Sequence, residues 1–163
     1  MVAIRRLPVL IFLASAATLA GAFAFQYFGG LQPCILCLYQ RYPHGIAMVL
    51  LVAALVLGTG GRVGRGLMFL CGAVFLVGAG IAVYHVGVEQ HWWLGTASCG
   101  TTASPSANLA ELRARLLATP VVRCDEAAWS LFGISMAGYN GLISLALAAL
   151  SGFAAARPDD RIA

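Results

Sequence analysis

The 163-residue chain contains no lysine, and it has little charge of either sign. Arginine supplies all ten basic residues, aspartate and glutamate supply six, and charged side chains make up 10% of the sequence. A soluble domain carries about 25%, so the composition excludes a water-soluble globular domain. The net charge of +4 is too dispersed to form a basic stripe, which excludes a nucleic-acid-binding surface. The glycine-rich run Gly58-Thr59-Gly60-Gly61-Arg62-Val63-Gly64-Arg65-Gly66 lacks the Gly-Lys-Ser/Thr ending of a phosphate loop. It reads as a turn between helices.

What the chain has in abundance is apolar sequence: 61% of its residues are hydrophobic, and the mean hydropathy is +0.88. Four runs are long enough to cross about 30 Å of hydrocarbon, at about 8–28, 40–57, 67–88 and 130–153. The first follows Arg5 and Arg6 and has the look of a secretory signal. Signal cores span about 7–15 residues, whereas this run approaches 20, so it is read as an uncleaved span. Pro43 is expected to kink or restart the second helix. The expectation is a single domain over 1–163, an all-α membrane protein built as a four-transmembrane-helix bundle. Its outer loops would cover about 29–39 and 89–129, and its inner loop about 58–66.

Orientation follows from arginine in the short flanks. With both termini inside, Arg5, Arg6, Arg62, Arg65, Arg157 and Arg161 lie on the inner side. Trp92, Trp93 and Trp129, with Tyr27, Tyr39 and Tyr42, then fall near the outer interface, as aromatic belts do. In the long outer loop, Asn108-Leu109-Ala110-Glu111 has the form of a capping box. Leu109, Leu112 and Leu116 follow at helical spacing, which suggests a short amphipathic helix on the membrane surface.

The five cysteines are Cys34, Cys37, Cys71, Cys99 and Cys124. Cys71 stands alone within a span and reads as a small packing residue. The other four fall in or beside the outer loops, as disulfide chemistry on an oxidising side would require. Gln32-Pro33-Cys34-Ile35-Leu36-Cys37-Leu38-Tyr39-Gln40-Arg41 puts a Cys-x-x-Cys pair at a helix start, where free N–H groups and the helix dipole favour a thiolate. Cys34, Cys37 and Arg41 fall within an arc of about 60° at roughly 100° per residue. A bridge between residues three apart stabilises little, so this pair points to redox chemistry or metal binding. A bridge between Cys99 and Cys124 would close about 26 residues and contribute roughly 3–4 kcal/mol. A structural staple and an exposed, exchangeable bond both fit it. The rival to redox chemistry is a metal-binding or structural membrane protein, with the four loop cysteines as zinc ligands or static bridges.

The motif Cys34-Ile-Leu-Cys37-Leu-Tyr-Gln-Arg41, four spans and a second cysteine pair in a long outer loop resemble the DsbB family of membrane disulfide-forming quinone reductases. Tyr84-His85, Glu89-Gln-His-Trp-Trp93 and Cys124-Asp-Glu-Ala-Ala-Trp129-Ser-Leu-Phe-Gly133 are similar to the family's surroundings of these groups. The resemblance implies a protein-dithiol:quinone oxidoreductase of the bacterial inner membrane, with both termini cytoplasmic and the cysteine loops periplasmic. The partner would be a DsbA-like periplasmic thioredoxin-fold protein, and the electron acceptor ubiquinone or menaquinone. Residue by residue, it implies that Cys99 is attacked by the partner's thiolate and that Cys124 is its bonded neighbour. Cys34 would receive the exchange, Cys37 would be the thiolate that meets the quinone, and Arg41 would hold the quinone. His85 is a candidate for the quinone pocket as an ionisable residue near the outer end of a span. His44 and His91 are expected at the interface, with His44 near the Cys37 face if the helix continues through Pro43, Glu89 as a solvated helix end, and Asn140 in a hydrogen bond between helices. Asp125 stands beside Cys124 as a candidate to tune it.

Overall fold

The computed structural model describes residues 6–96, 99 and 122–156. The amphipathic helix expected around 108–116 lies outside them. Four helices carry the fold: α1 (Leu7–Tyr27), α2 (Ile35–Leu57), α3 (Arg62–Glu89) and α4 (Met136–Ala156). Each is long and apolar enough to cross a membrane. At 1.5 Å per residue, a 21-residue helix such as α1 or α4 runs about 31 Å, the depth of the hydrocarbon layer. The protein is a multi-pass four-helix membrane bundle.

α3 packs along both α2 and α4, while α1 rests on α2 and touches α4, which closes the ring. Small residues allow this closeness where lipid offers no hydrophobic drive between helices. A Cβ added at Gly78 would stand 3.0 Å from Pro43 Cβ, so the glycine lets α3 approach the proline of α2. Ile11, Ala47, Leu51, Met68, Phe75 and Leu147 form the core of one end of the bundle. Cys71 lies in the same core, fully buried, with its thiol 3.9 Å from the Ala47 carbonyl. Outward-facing Leu10, Val49, Val56, Phe69 and Val77 are exposed, as lipid-facing side chains are.

The element boundaries differ from the hydropathy reading in three places. α2 starts at Ile35 rather than near 40 and runs unbroken through the buried Pro43. Proline removes one backbone bond, but here its ring fills the space beside Gly78 and the helix continues. α3 starts at Arg62, so the turn before it is shorter than expected. α4 starts only at Met136. Residues 130–135 instead form a hairpin of β1 (Ser130–Leu131) and β2 (Ile134–Ser135). Phe132 and Gly133 form its two-residue loop, with φ of 50° and 77°, the conformation that matches a hairpin's twist. At the other end of the bundle Arg65 donates to the Ala155 carbonyl at 2.9 Å, a cation on the last turn of α4.

Candidate functional site

The start of α2 builds one half of the site. Cys34 is the N-cap, in extended backbone, and its sulfur accepts the Cys37 backbone N–H at 3.2 Å. The two sulfurs of the pair are 2.7 Å apart. From α3, His85 Nε2 lies 3.5 Å from Cys34 Sγ. The tautomer follows from the next contact: with the Gln40 amide in its assigned orientation, Nε2 of Gln40 donates to His85 Nδ1 at 2.7 Å. The ring proton therefore sits on Nε2, facing the sulfur. The Cys37 thiol, and then the His85 N–H, hold the Cys34 thiol well below the usual thiol range, against its own burial. In the reduced pair the thiolate is favoured on Cys34, the residue before the helix, while the resemblance assigned the quinone-facing thiolate to Cys37.

Cys99 and Cys124 are joined in a disulfide. This bond is covered rather than exposed, since Cys99 is 8% accessible and Cys124 is fully buried. It packs in one buried cluster with Cys34, Leu36 and Val88, and Cys37 lies against that cluster. The topology thus brings together four cysteines that are up to 90 residues apart in sequence. The four-cysteine zinc arrangement is not formed, because two of its thiols are joined to each other. Among the described residues, Cys34, Cys37 and His85 bring three donor atoms within 4.8 Å of one another.

Arg41, one turn beyond Cys37, is tethered to α1. It donates to Gln26 Oε1 at 2.7 Å and to the Ala22 carbonyl at 3.4 Å, and its guanidinium lies 4.9 Å from the centre of the Phe23 ring. Its Nε is buried without a hydrogen-bond partner, and no carboxylate among the described residues pairs with it. Cys34, Cys37 and Arg41 border one cavity of about 380 Å³, walled by Ala17, Gly21, Phe25, Met136 and Ile143. An apolar chamber with a few convergent polar groups is the usual form of a small-molecule site.

A scan against family models matches residues 4–154 to the family described as "Disulfide bond formation protein DsbB". The chain belongs to the DsbB family. A "Disulfide bond formation protein B" of Xanthomonas campestris pv. campestris is 35% identical over 149 residues, covering 85% of this chain and 84% of the relative. One of the same name from Xylella fastidiosa is 31% identical over 157 residues, covering 90% and 88%. No solved structure matches the chain. As a DsbB-family protein it is a disulfide-forming oxidoreductase of the membrane.

Three polar residues escaped the sequence reading of this DsbB-family site. Gln40 is buried and sets the His85 tautomer. Glu89, expected at a solvated helix end, has a side chain only 6% exposed, with Oε1 3.8 Å from His85 Nε2. Its Oε2 is buried without a partner. His44, expected at the interface, is fully buried. The i, i+4 spacing of His85 and Glu89 was the available signal for that pair. Asp125 pairs with Arg123 at 2.9 Å, which holds its carboxyl down to about 2. Its charge is thereby engaged by Arg123.

Proposed function

We propose that this protein reoxidises a DsbA-like periplasmic thioredoxin-fold protein and passes the electrons to a membrane quinone. The observation that carries the reading is the common cluster of both cysteine pairs, the first of which lines an apolar cavity together with the Arg41 cation. The partner's thiolate attacks Cys99 and releases Cys124, which attacks Cys34 of the closed first pair and releases Cys37 as a thiolate. The partner's second thiolate then attacks its own sulfur in the mixed disulfide, which releases the oxidised partner and frees Cys99; Cys99 attacks Cys124 and releases Cys34, and the first pair is left as a dithiol.

The two thiols then form the Cys34–Cys37 bond. Two electrons and two protons leave for the ring oxygens of a ubiquinone or menaquinone, the substrate that becomes the quinol. Arg41 fits the role of holding that ring. It is fixed by α1, its Nε is unpartnered, and its charge favours the more negative reduced ring. His85, with its N–H toward Cys34, keeps that sulfur ionised before the bond closes. Arginine in the short flanks supports cytoplasmic termini and periplasmic cysteine loops in a bacterial inner membrane. Because the disulfide is covered, docking of the partner has to open its surroundings.

The decisive assay combines the purified protein, a reduced thioredoxin-fold partner and ubiquinone. Quinone reduction should be abolished in Cys37→Ser and in Cys99→Ser; persistence in either would break the proposed path. Arg41→Ala should raise the KM for quinone while the cysteines still form bridges, and an unchanged KM would remove Arg41 from the site.

A further inference from the structure

Oxidation of a dithiol by a quinone moves two protons as well as two electrons, and with Cys34 ionised only the Cys37 proton is still on a sulfur. One buried acid stands where the other could be kept. Glu89 is the last residue of α3, and its side chain is 6% exposed. Its Oε1 lies 3.8 Å from His85 Nε2, and its Oε2 is buried without a hydrogen-bond partner. Cys34 Sγ lies 3.5 Å from the same nitrogen, so the carboxyl group and the sulfur flank one imidazole N–H. No arginine among the described residues forms an ion pair with this carboxyl group. A buried carboxylate with a bare oxygen is costly, and a proton on it removes the charge. Glu89 also lines the cavity, together with Cys34, Cys37 and Arg41.

The other titratable groups on the cavity wall are engaged elsewhere. His85 holds its Nε2 proton toward Cys34 while Nδ1 accepts from Gln40, so giving that proton up would leave an anionic ring. Arg41 does not release its proton. Tyr139 donates its hydroxyl to the Leu131 carbonyl at 3.1 Å. Glu126 is 70% exposed and pairs with Arg123. We propose that Glu89 is a catalytic residue of the quinone step, storing the proton that Cys34 gives up and delivering it to a ring oxygen. Before the step the site holds the Cys34 thiolate, the Cys37 thiol and the Glu89 carboxylic acid. Closure of the Cys34–Cys37 bond sends two electrons into the ring. The Glu89 proton goes to one ring oxygen and the Cys37 proton to the other. The products are the disulfide, the quinol and the Glu89 carboxylate. The next reduction of the pair brings two protons, and the one that Cys34 sheds reloads Glu89 across the cavity that both line. This rests on the quinone reading above.

The test takes the full-length protein with its first pair reduced and mixes it with excess decylubiquinone in a single turnover. Glu89→Gln keeps the shape of the side chain and removes its proton. It should slow quinol formation roughly a hundredfold, the low end for a positioned general acid. The half-saturating quinone concentration, and the rate of the partner's attack on Cys99, should stay near the parent values. Glu89→Asp retains an acid one methylene shorter and should be slowed less. Infrared difference spectra of the reduced against the oxidised first pair give a second readout. On oxidation the parent should lose a carboxylic-acid C=O band and gain a carboxylate band. Glu89→Gln should abolish both changes, and Glu126→Gln should keep both. An unchanged single-turnover rate in Glu89→Gln, or a carboxyl band that survives it, overturns the proposal. If that variant does not accumulate, the absence of a carboxyl band in the parent overturns it equally. Arg41→Ala run alongside separates the two levels: weakened quinone saturation there with an unaffected Glu89→Gln sinks this inference alone. No quinol formation in the parent protein sinks the quinone reading and this inference with it.

Discussion

The ionisation of Cys34 is the feature of the site most open to measurement. Its sulfur receives the Cys37 thiol at 2.7 Å, the His85 N–H at 3.5 Å and the Cys37 backbone N–H at 3.2 Å. A hydrogen bond to a charged group is worth about 1.5–3 kcal/mol, and one pKa unit is about 1.36 kcal/mol. The His85 contact is long, so its loss in His85→Leu should raise the Cys34 midpoint by about one unit. Cys37→Ala removes the largest stabilising contact and should raise it further. The assay is the rate of iodoacetamide alkylation against pH, with Cys71, Cys99 and Cys124 replaced by alanine. With the remaining pair reduced, the parent curve should turn over below the ordinary thiol value of ~8.5. The sign is fixed by the direction of the shift. A folded value below the unfolded one contributes stability in full above ~8.5, and that contribution is lost as pH falls through the folded midpoint. A parent midpoint at the ordinary thiol value, or a His85→Leu curve that overlays the parent, would refute the assignment of the thiolate to Cys34.

Two other predictions concern the bundle and the loop. Gly78→Val sets a branched side chain against the rigid Pro43 ring, 3.0 Å from the new Cβ, and should cost about 1–3 kcal/mol. Thermal unfolding in detergent should show a midpoint several degrees lower, whereas Gly80→Ala, with nothing within 4 Å of its Cβ, should hold or gain stability. Arg123→Ala frees Asp125, whose carboxyl should return from about 2 to the ordinary range. Because the Arg123 and Asp125 side chains are 49% and 31% exposed, water screens the pair and the unfolding midpoint at neutral pH should scarcely move; a clear drop would mean that Arg123 carries a structural load.

Span existence was legible because each run had to be apolar along about 20 residues to enter lipid at all. The Cys34–Cys37 pair with Arg41 was legible because helical spacing alone puts the three on one face. His85 was legible as an ionisable residue near a span end, but what it touches was not, because contacts between helices follow no short-range rule. His85 and Gln40 are 45 residues apart, and nothing local joins them. Glu89 read as a solvated end because a charged residue at a helix terminus usually is one. The fold instead buries it at the wall of the cavity, beside His85. The start of α4 was missed for a different reason. Ser130-Leu131 and Ile134-Ser135 are apolar enough to extend a span, and only pairing across Phe132-Gly133 reveals a hairpin.

The sequence by itself determined a four-span membrane protein, its reactive cysteine pair and the arginine beside it, because lipid and helical periodicity act on each segment alone. Tertiary structure decided which cysteines are joined, which sulfur of the reduced pair is ionised, and where the apolar cavity lies. Those properties depend on the distances between α1, α2, α3 and α4, which packing sets and no segment encodes in isolation. Cys34 shows the division most directly. Its place at a helix start was written in the sequence, but the His85 proton that faces it arrives only when α3 packs against α2.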